Sequence, residues 1–275
     1  MKKLLSIAAI SSFALASGNL LMPYVGGIDY SKNSIKSYGV LGGVYFSKIF
    51  KSSKIEFDAE HLFIKYRDKA IDNYIQDDVS ILLNYTKSNF NLKIGNHSIF
   101  INQNNNPDKY DNVFILGVEF FKYLKYNAGL DYYYSKYDKF NVKQYSPYLG
   151  YTFGDYYSEY GSFYAKAQVN FINLSNKNIT NKKNYFNYDL YLSNYIKNWT
   201  TTLKASFGKS VYKVTNGGFV VYNLGEEYKD SYGIDVNYQI NNISSIKVGY
   251  TYSDFKENGN NINSSVYLIS YSRAF

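Results

Sequence analysis

Tyr232-Gly233-Ile234-Asp235-Val236-Asn237-Tyr238-Gln239-Ile240 decides the fold class. Tyr232, Ile234, Val236, Tyr238 and Ile240 fall on one side of an extended chain, with Gly233, Asp235, Asn237 and Gln239 on the other. Successive strand side chains point to opposite faces, and a helical period fits none of this stretch. The same alternation recurs in both directions from it. Phe163, Ala165, Ala167, Val169 and Phe171 oppose Tyr164, Lys166, Gln168 and Asn170; Leu203, Ala205 and Phe207 oppose Thr202, Lys204, Ser206 and Gly208. Soluble strands usually run ~5–6 residues, whereas a tilted transmembrane strand needs ~9–11. Many of the alternating runs here reach the second length. Strands are predicted over 22–30, 35–47, 53–66, 75–87, 89–102, 111–122, 124–137, 142–154, 159–174, 184–196, 198–213, 230–240, 243–256 and 264–275.

The joins between these strands alternate in length. One set is mostly tight, as at Lys197-Asn198 and Asn241-Asn242. The other is mostly longer and polar: Arg67–Asn73, Gln103–Lys109, Ser175–Lys183, Thr215–Lys229 and Glu257–Asn263. A two-sheet sandwich would also bury one apolar face per strand, but it has no reason to sort its loops by parity. Outer-membrane barrels do, with short periplasmic turns and longer outer loops. A bilayer also demands closure, because an open sheet edge in hydrocarbon leaves backbone groups unpaired. The predicted class is all-β: a single closed antiparallel transmembrane β-barrel of about fourteen strands, with twelve next. Tyr and Phe near strand ends, as at Phe46, Tyr85, Phe90, Tyr126, Tyr195 and Phe255, suit the two membrane interfaces.

Composition narrows the chemistry. The 275 residues contain 34 Tyr and 19 Phe, one Trp, two His and no Cys. Disulfides, thiolate metal sites and cysteine nucleophiles are excluded, and neither a metal nor a cofactor is expected. The formal charge is +8, spread without a run of Lys or Arg, so nucleic-acid binding has no support. Met1-Lys2-Lys3, an apolar run from Leu4 and the Ala14-Leu15-Ala16 end predict a cleaved signal peptide over 1–16, leaving 17–275 as the barrel. The apolar run is too short for a spanning helix, which needs ~20 residues.

The chain ends Tyr267-Leu268-Ile269-Ser270-Tyr271-Ser272-Arg273-Ala274-Phe275, with Tyr267, Ile269, Tyr271 and the terminal Phe275 on one face. This strand resembles the C-terminal strand of bacterial outer-membrane β-barrel proteins, although Arg273 stands where that family usually has a hydrophobic residue. The resemblance implies an outer-membrane location, contact with outer-membrane lipid, and recognition by the barrel-assembly machinery through Tyr271 and Phe275.

Positions opposite the apolar faces are pore-lining candidates: Glu56, Asp58, Glu60, Lys93, Glu119, Asp131, Lys166, Asp189, Lys204, Asp235 and Lys247. Asp78, Lys54 and Lys125 join them in the mixed lining. Glu56, Asp58 and Glu60 form an acidic rail, which either attracts cations or pairs with Lys on neighbouring strands. The loop Thr215–Lys229 could fold inward as a gate, but a small hairpin above the rim is favoured. A lipid-modifying enzyme would need a Ser and a His on one face, whereas in Asn96-His97-Ser98 the two point apart. No enzyme is therefore expected. The favoured reading is a porin-like channel for passive diffusion of small polar solutes, weakly cation-preferring. The alternative is a structural or surface-interaction barrel with a filled lumen.

Overall fold

The computed structural model describes residues 18–103, 109–177, 180 and 182–275; the expected signal peptide over 1–16 lies outside the described residues. Its strands are β1 (Asn19–Tyr30), β2 (Lys36–Ile49), β3 (Ser53–Tyr66), β4 (Tyr74–Lys87), β5 (Phe90–Asn102), β6 (Lys109–Lys122), β7 (Tyr126–Lys136) and β8 (Asn141–Gly154). They continue as β9 (Ser162–Leu174), β10 (Asn184–Ile196), β11 (Trp199–Lys209), β12 (Val214–Thr215), β13 (Val220–Val221), β14 (Glu227–Asn241), β15 (Ser244–Glu257) and β16 (Asn260–Ala274). All but β12 and β13 join one closed barrel of fourteen antiparallel strands, in which β16 pairs back onto β1. The predicted strand number and closure both hold. Closure gives every edge a partner, which a bilayer requires.

The two faces of the wall differ as the alternation demands. Outward side chains such as Leu149, 60% exposed, and Val248, 54% exposed, have nothing among the described residues to cover them. A bilayer supplies that cover. Rings pair across strands near both rims of this surface. Phe171–Phe186 and Tyr188–Phe207 lie 5.3 and 5.4 Å apart near one rim, and Trp199–Tyr238 lie 4.6 Å apart near the other. These are the interface girdles of a membrane barrel. Phe255 is an exception to the expectation: it is buried inside the barrel with Tyr30, Ile64, Tyr74 and Ile262. Tyr195 likewise shares the inward face of β10 with buried Ser193.

Loop parity holds with two corrections. Glu257–Asn263, expected to be long, is a tight hairpin, because Asn258 (φ 49°) and Gly259 (φ 84°) both adopt the left-handed backbone. Asn-Gly is the sequence that a two-residue primed turn demands, and it lets β15 and β16 extend towards each other. On the opposite rim, β9 begins at Ser162 rather than 159, leaving a longer turn closed by hydrogen bonds from Ser158 N to Asp155 O and from Gly161 N to Ser158 O. By the short-turn rule, the rim carrying Asn19 and Ala274 is the periplasmic one.

Candidate functional site

The connection between β11 and β14 leaves the wall after one extra rung, Ser210 pairing with Tyr228, and descends into the lumen. This overturns the expected hairpin above the rim. Val211 and Tyr212 fill a cluster with Tyr137, Val142, Ile172, Leu174 and Tyr185. Lys213 Nζ donates to Asp189 Oδ1 at 2.6 Å and Asn187 Oδ1 at 2.7 Å. Burial lowers the pKa of this ammonium, and the Asp189 carboxylate acts against that shift. Val214 bonds the Gln144 amide as a strand would, donating through N at 2.8 Å and accepting through O at 2.7 Å.

β12 and β13 then form a miniature hairpin around Asn216–Gly218. Gly218 (φ 111°) lies so close to Ile115 that a Cβ would collide with that side chain. Beyond it, Phe219 packs on Tyr45, ring centroids 5.6 Å apart, and against the cluster of Leu20, Tyr45 and Ala274 near the periplasmic rim. The return limb is held by Asn223 Nδ2 donating to Tyr74 Oη at 3.0 Å and by an ion pair between Glu226 and Lys36. Lys36 also pairs with Glu257 at 3.0 Å. The outer half of the lumen is therefore packed, and the loop tip reaches towards the periplasmic half.

The wall beside the tip is acidic. Glu56 accepts from Lys54 Nζ at 2.8 Å, from Tyr45 Oη and from Asn84 Nδ2. Asp58 accepts a hydrogen bond, among the described residues, only from Tyr24 Oη, at 3.1 Å, and Asp78 accepts from Gln76 Nε2 at 2.6 Å. Among the described residues, no Lys or Arg lies within ion-pair distance of Asp58, Glu60 or Asp78. The rail's one Lys partner among the described residues, Lys54, is on the same strand, not on a neighbouring one.

The remaining candidates are mostly matched. Lys93 pairs with Asp131 at 2.8 Å, Lys204 with Asp235 at 2.9 Å, and Asp189 with Lys213. Glu119 accepts from Asn127 Nδ2 at 2.7 Å and Tyr148 Oη at 3.0 Å. Lys166 lies over the Tyr148 ring, 4.3 Å from its centroid. Lys247 shares the inward face of β15, with Asp235 and Lys204 as its charged neighbours. Lys125 is not in the lumen: β7 begins at Tyr126, and Lys125 sits exposed in the preceding turn. Tyr271 and Phe275 face outward on the closing strand, and Phe275 N donates to Asn19 O at 3.2 Å.

Sequence reasoning missed one constellation. His97 and Ser80 are register partners on β5 and β4, with Asp78 two residues before Ser80. His97 Nδ1 is 2.8 Å from both Ser80 Oγ and Gly218 O, and Nε2 is 3.5 Å from Asp78 Oδ1. A Ser, a His and an Asp in a row resemble a nucleophilic triad. Ser80 is 0% and His97 1% exposed, however, and the loop carbonyl engages the imidazole, so a substrate has no approach to the hydroxyl. No short sequence motif could have exposed this cluster, because strand register alone assembles it.

No protein-family model and no curated protein matches the chain. Solved structures do. They include the CymD monoaromatic hydrocarbon channel, with TM-score 0.63 and 9% identity over 94% of this chain and 89% of that one. The Ralstonia pickettii toluene transporter TbuX matches with TM-score 0.62 and 8% identity over 95% and 90%. A Pseudomonas aeruginosa FadL homologue gives TM-score 0.53 and 11% identity over 94% and 90%. At such identities the likeness concerns fold alone: this chain shares the closed antiparallel barrel of these outer-membrane proteins.

Proposed function

We propose that the protein is an outer-membrane channel through which small polar solutes diffuse passively, with the inward loop setting the constriction and the acidic wall favouring cations. The observation that carries this reading is the pair Asp58 and Glu60 beside the loop tip, which among the described residues have no cationic partner within ion-pair distance. A barrel of this size lies between those filled by side chains and open porins, so a narrow aqueous path fits it. Carboxylates against a low-dielectric wall concentrate cations. The solved neighbours include hydrocarbon channels, but Glu56, Lys166, Lys204 and Lys247 in the periplasmic half of this lumen suit polar cargo instead.

Planar-bilayer recording tests the proposal. Discrete conductance steps are expected, with a reversal potential in a KCl gradient displaced to the cation side and moved towards zero by Glu56→Gln, Asp58→Asn and Glu60→Gln together. Clear anion preference would sink the assignment of the rail. A second reading, a structural or surface-contact barrel, is favoured by the packed outer half of the lumen. Silence from folded protein, both intact and with 214–221 replaced by a short Gly-Ser link, would establish it over the channel.

A further inference from the structure

Two buried polar atoms face each other beneath the loop with no hydrogen-bond partner among the described residues: His97 Nε2 and Asp78 Oδ1, 3.5 Å apart. On the other side of the ring, Nδ1 lies 2.8 Å from Gly218 O at the loop tip. A carbonyl oxygen only accepts, so this contact needs the hydrogen on Nδ1. A neutral imidazole would then turn a bare Nε2 lone pair towards a carboxylate, an arrangement that repels. The observed geometry is satisfied when the pair holds one more proton, either on Nε2 or on the Asp78 carboxyl.

We propose that His97 and Asp78 share one titratable proton that latches the inward loop to the wall through the Gly218 carbonyl, and that loss of this proton releases the loop. With a single proton left on the ring, Nε2–H donates to the Asp78 anion, which is a stronger acceptor than a carbonyl. Ser80 Oγ, 2.8 Å from Nδ1, donates into the lone pair exposed there, and Gly218 O loses its donor. The latched state thus binds one proton more than the released state. It is favoured in acid and lost as pH rises through the titration of the pair, which belongs to both residues and not to either alone.

The surroundings act on this proton from each neighbouring element. On β3, Asp58 and Glu60 are electrostatic neighbours of His97. Tyr24 on β1 donates to Asp58. On β4, Gln76 donates to Asp78 Oδ2 and receives from Tyr74, which in turn accepts from Asn223 of the loop. On β5, the nearby charged side chain is Lys93, which is tied to Asp131 of β7. On β6, Val113 and Ile115 present no charge, and neither does the loop from Asn216 to Phe219.

The effect on conduction rests on the channel reading; the latch does not, so the test has two readouts. The chain has no cysteine, and a nitroxide on Val220→Cys therefore reports loop mobility at a unique site. In refolded barrels between about pH 5 and 8, the label is expected to be immobile in acid and mobile in base. The latched-to-released ratio should fall by up to about tenfold per pH unit, as release of one proton dictates. Closed-time in bilayers should follow the same profile. His97→Gln, whose amide donates without titrating, and Asp78→Asn should each flatten both profiles; if one variant fails to refold, the other decides. A label whose mobility follows pH as expected, with silent bilayers, supports the latch and removes the channel. A label whose mobility ignores pH in the native protein, or keeps the native profile in both variants, overturns the latch.

Discussion

The two faces of β9 are one sequence under two solvents. Outward, Phe163, Ala165, Ala167, Val169 and Phe171 meet hydrocarbon and carry no polar atom beyond the backbone. Inward, Lys166 rests on a tyrosine ring, while Gln168 and Asn170 join a network reaching Ser146, Asn187 and Asp189. The outer face follows a rule that each residue satisfies independently. The inner face depends on which residues of other strands, and of the loop, arrive opposite.

The contrast implies a ranking of sensitivities. The largest effect is expected at Lys213, the inner-face ion pair made by the loop. Lys213→Ala leaves Asp189 buried without its cation, a loss of ~3–5 kcal/mol for such pairs. The loop should detach and conductance noise should increase, whereas adding Asp189→Asn should restore much of the loss. Equal noise in native and single variant would mean that the loop is held elsewhere. The second effect concerns the outer face. Ala167→Arg should destabilise the barrel by ~2–4 kcal/mol near the midplane, measured by denaturant titration in bilayers, and Asn237→Arg far less. Gln168 is a poor control, because it is 5% exposed and hydrogen-bonded to Asn170.

A kinetic consequence comes third. Removing Phe275 takes away a side chain at the seam, and several-fold slower insertion is expected in pulse-chase assays; unchanged outer-membrane levels would dismiss it as an assembly signal. The smallest effect lies at a turn that belongs to neither face. Gly259→Ala forces a side chain into a left-handed backbone with open space around it, so only the conformational cost remains, ~1–2 kcal/mol. A change in conductance with that variant would show that the hairpin does more than connect.

This contrast also explains what was legible in the sequence. Strand number, closure and the lipid-facing positions follow from alternation, since hydrocarbon imposes one demand at every outward residue. The Asn258-Gly259 turn was legible too, by its dipeptide, but a polar stretch around it disguised it as a loop. The acidic rail was visible as a face, whereas its lack of Lys partners on adjoining strands was not, because register decides which side chains meet. Lys125 was misplaced by a two-residue error in a strand start. The loop's descent had no local signature: Lys213 differs from any surface lysine only because Asp189 waits inside the barrel.

Phe219 sits in a pocket whose walls are Tyr45, Leu20 and Ala274, and the last two belong to the strands that close the ring. That pocket does not exist until β16 has found β1. The deepest part of the plug therefore has nowhere to dock in an unfinished barrel, and the order of events in assembly is set by geometry: wall first, seam second, loop last. A newly closed barrel passes through a stage with its wall complete and its loop tip unseated, wider then than at any later time.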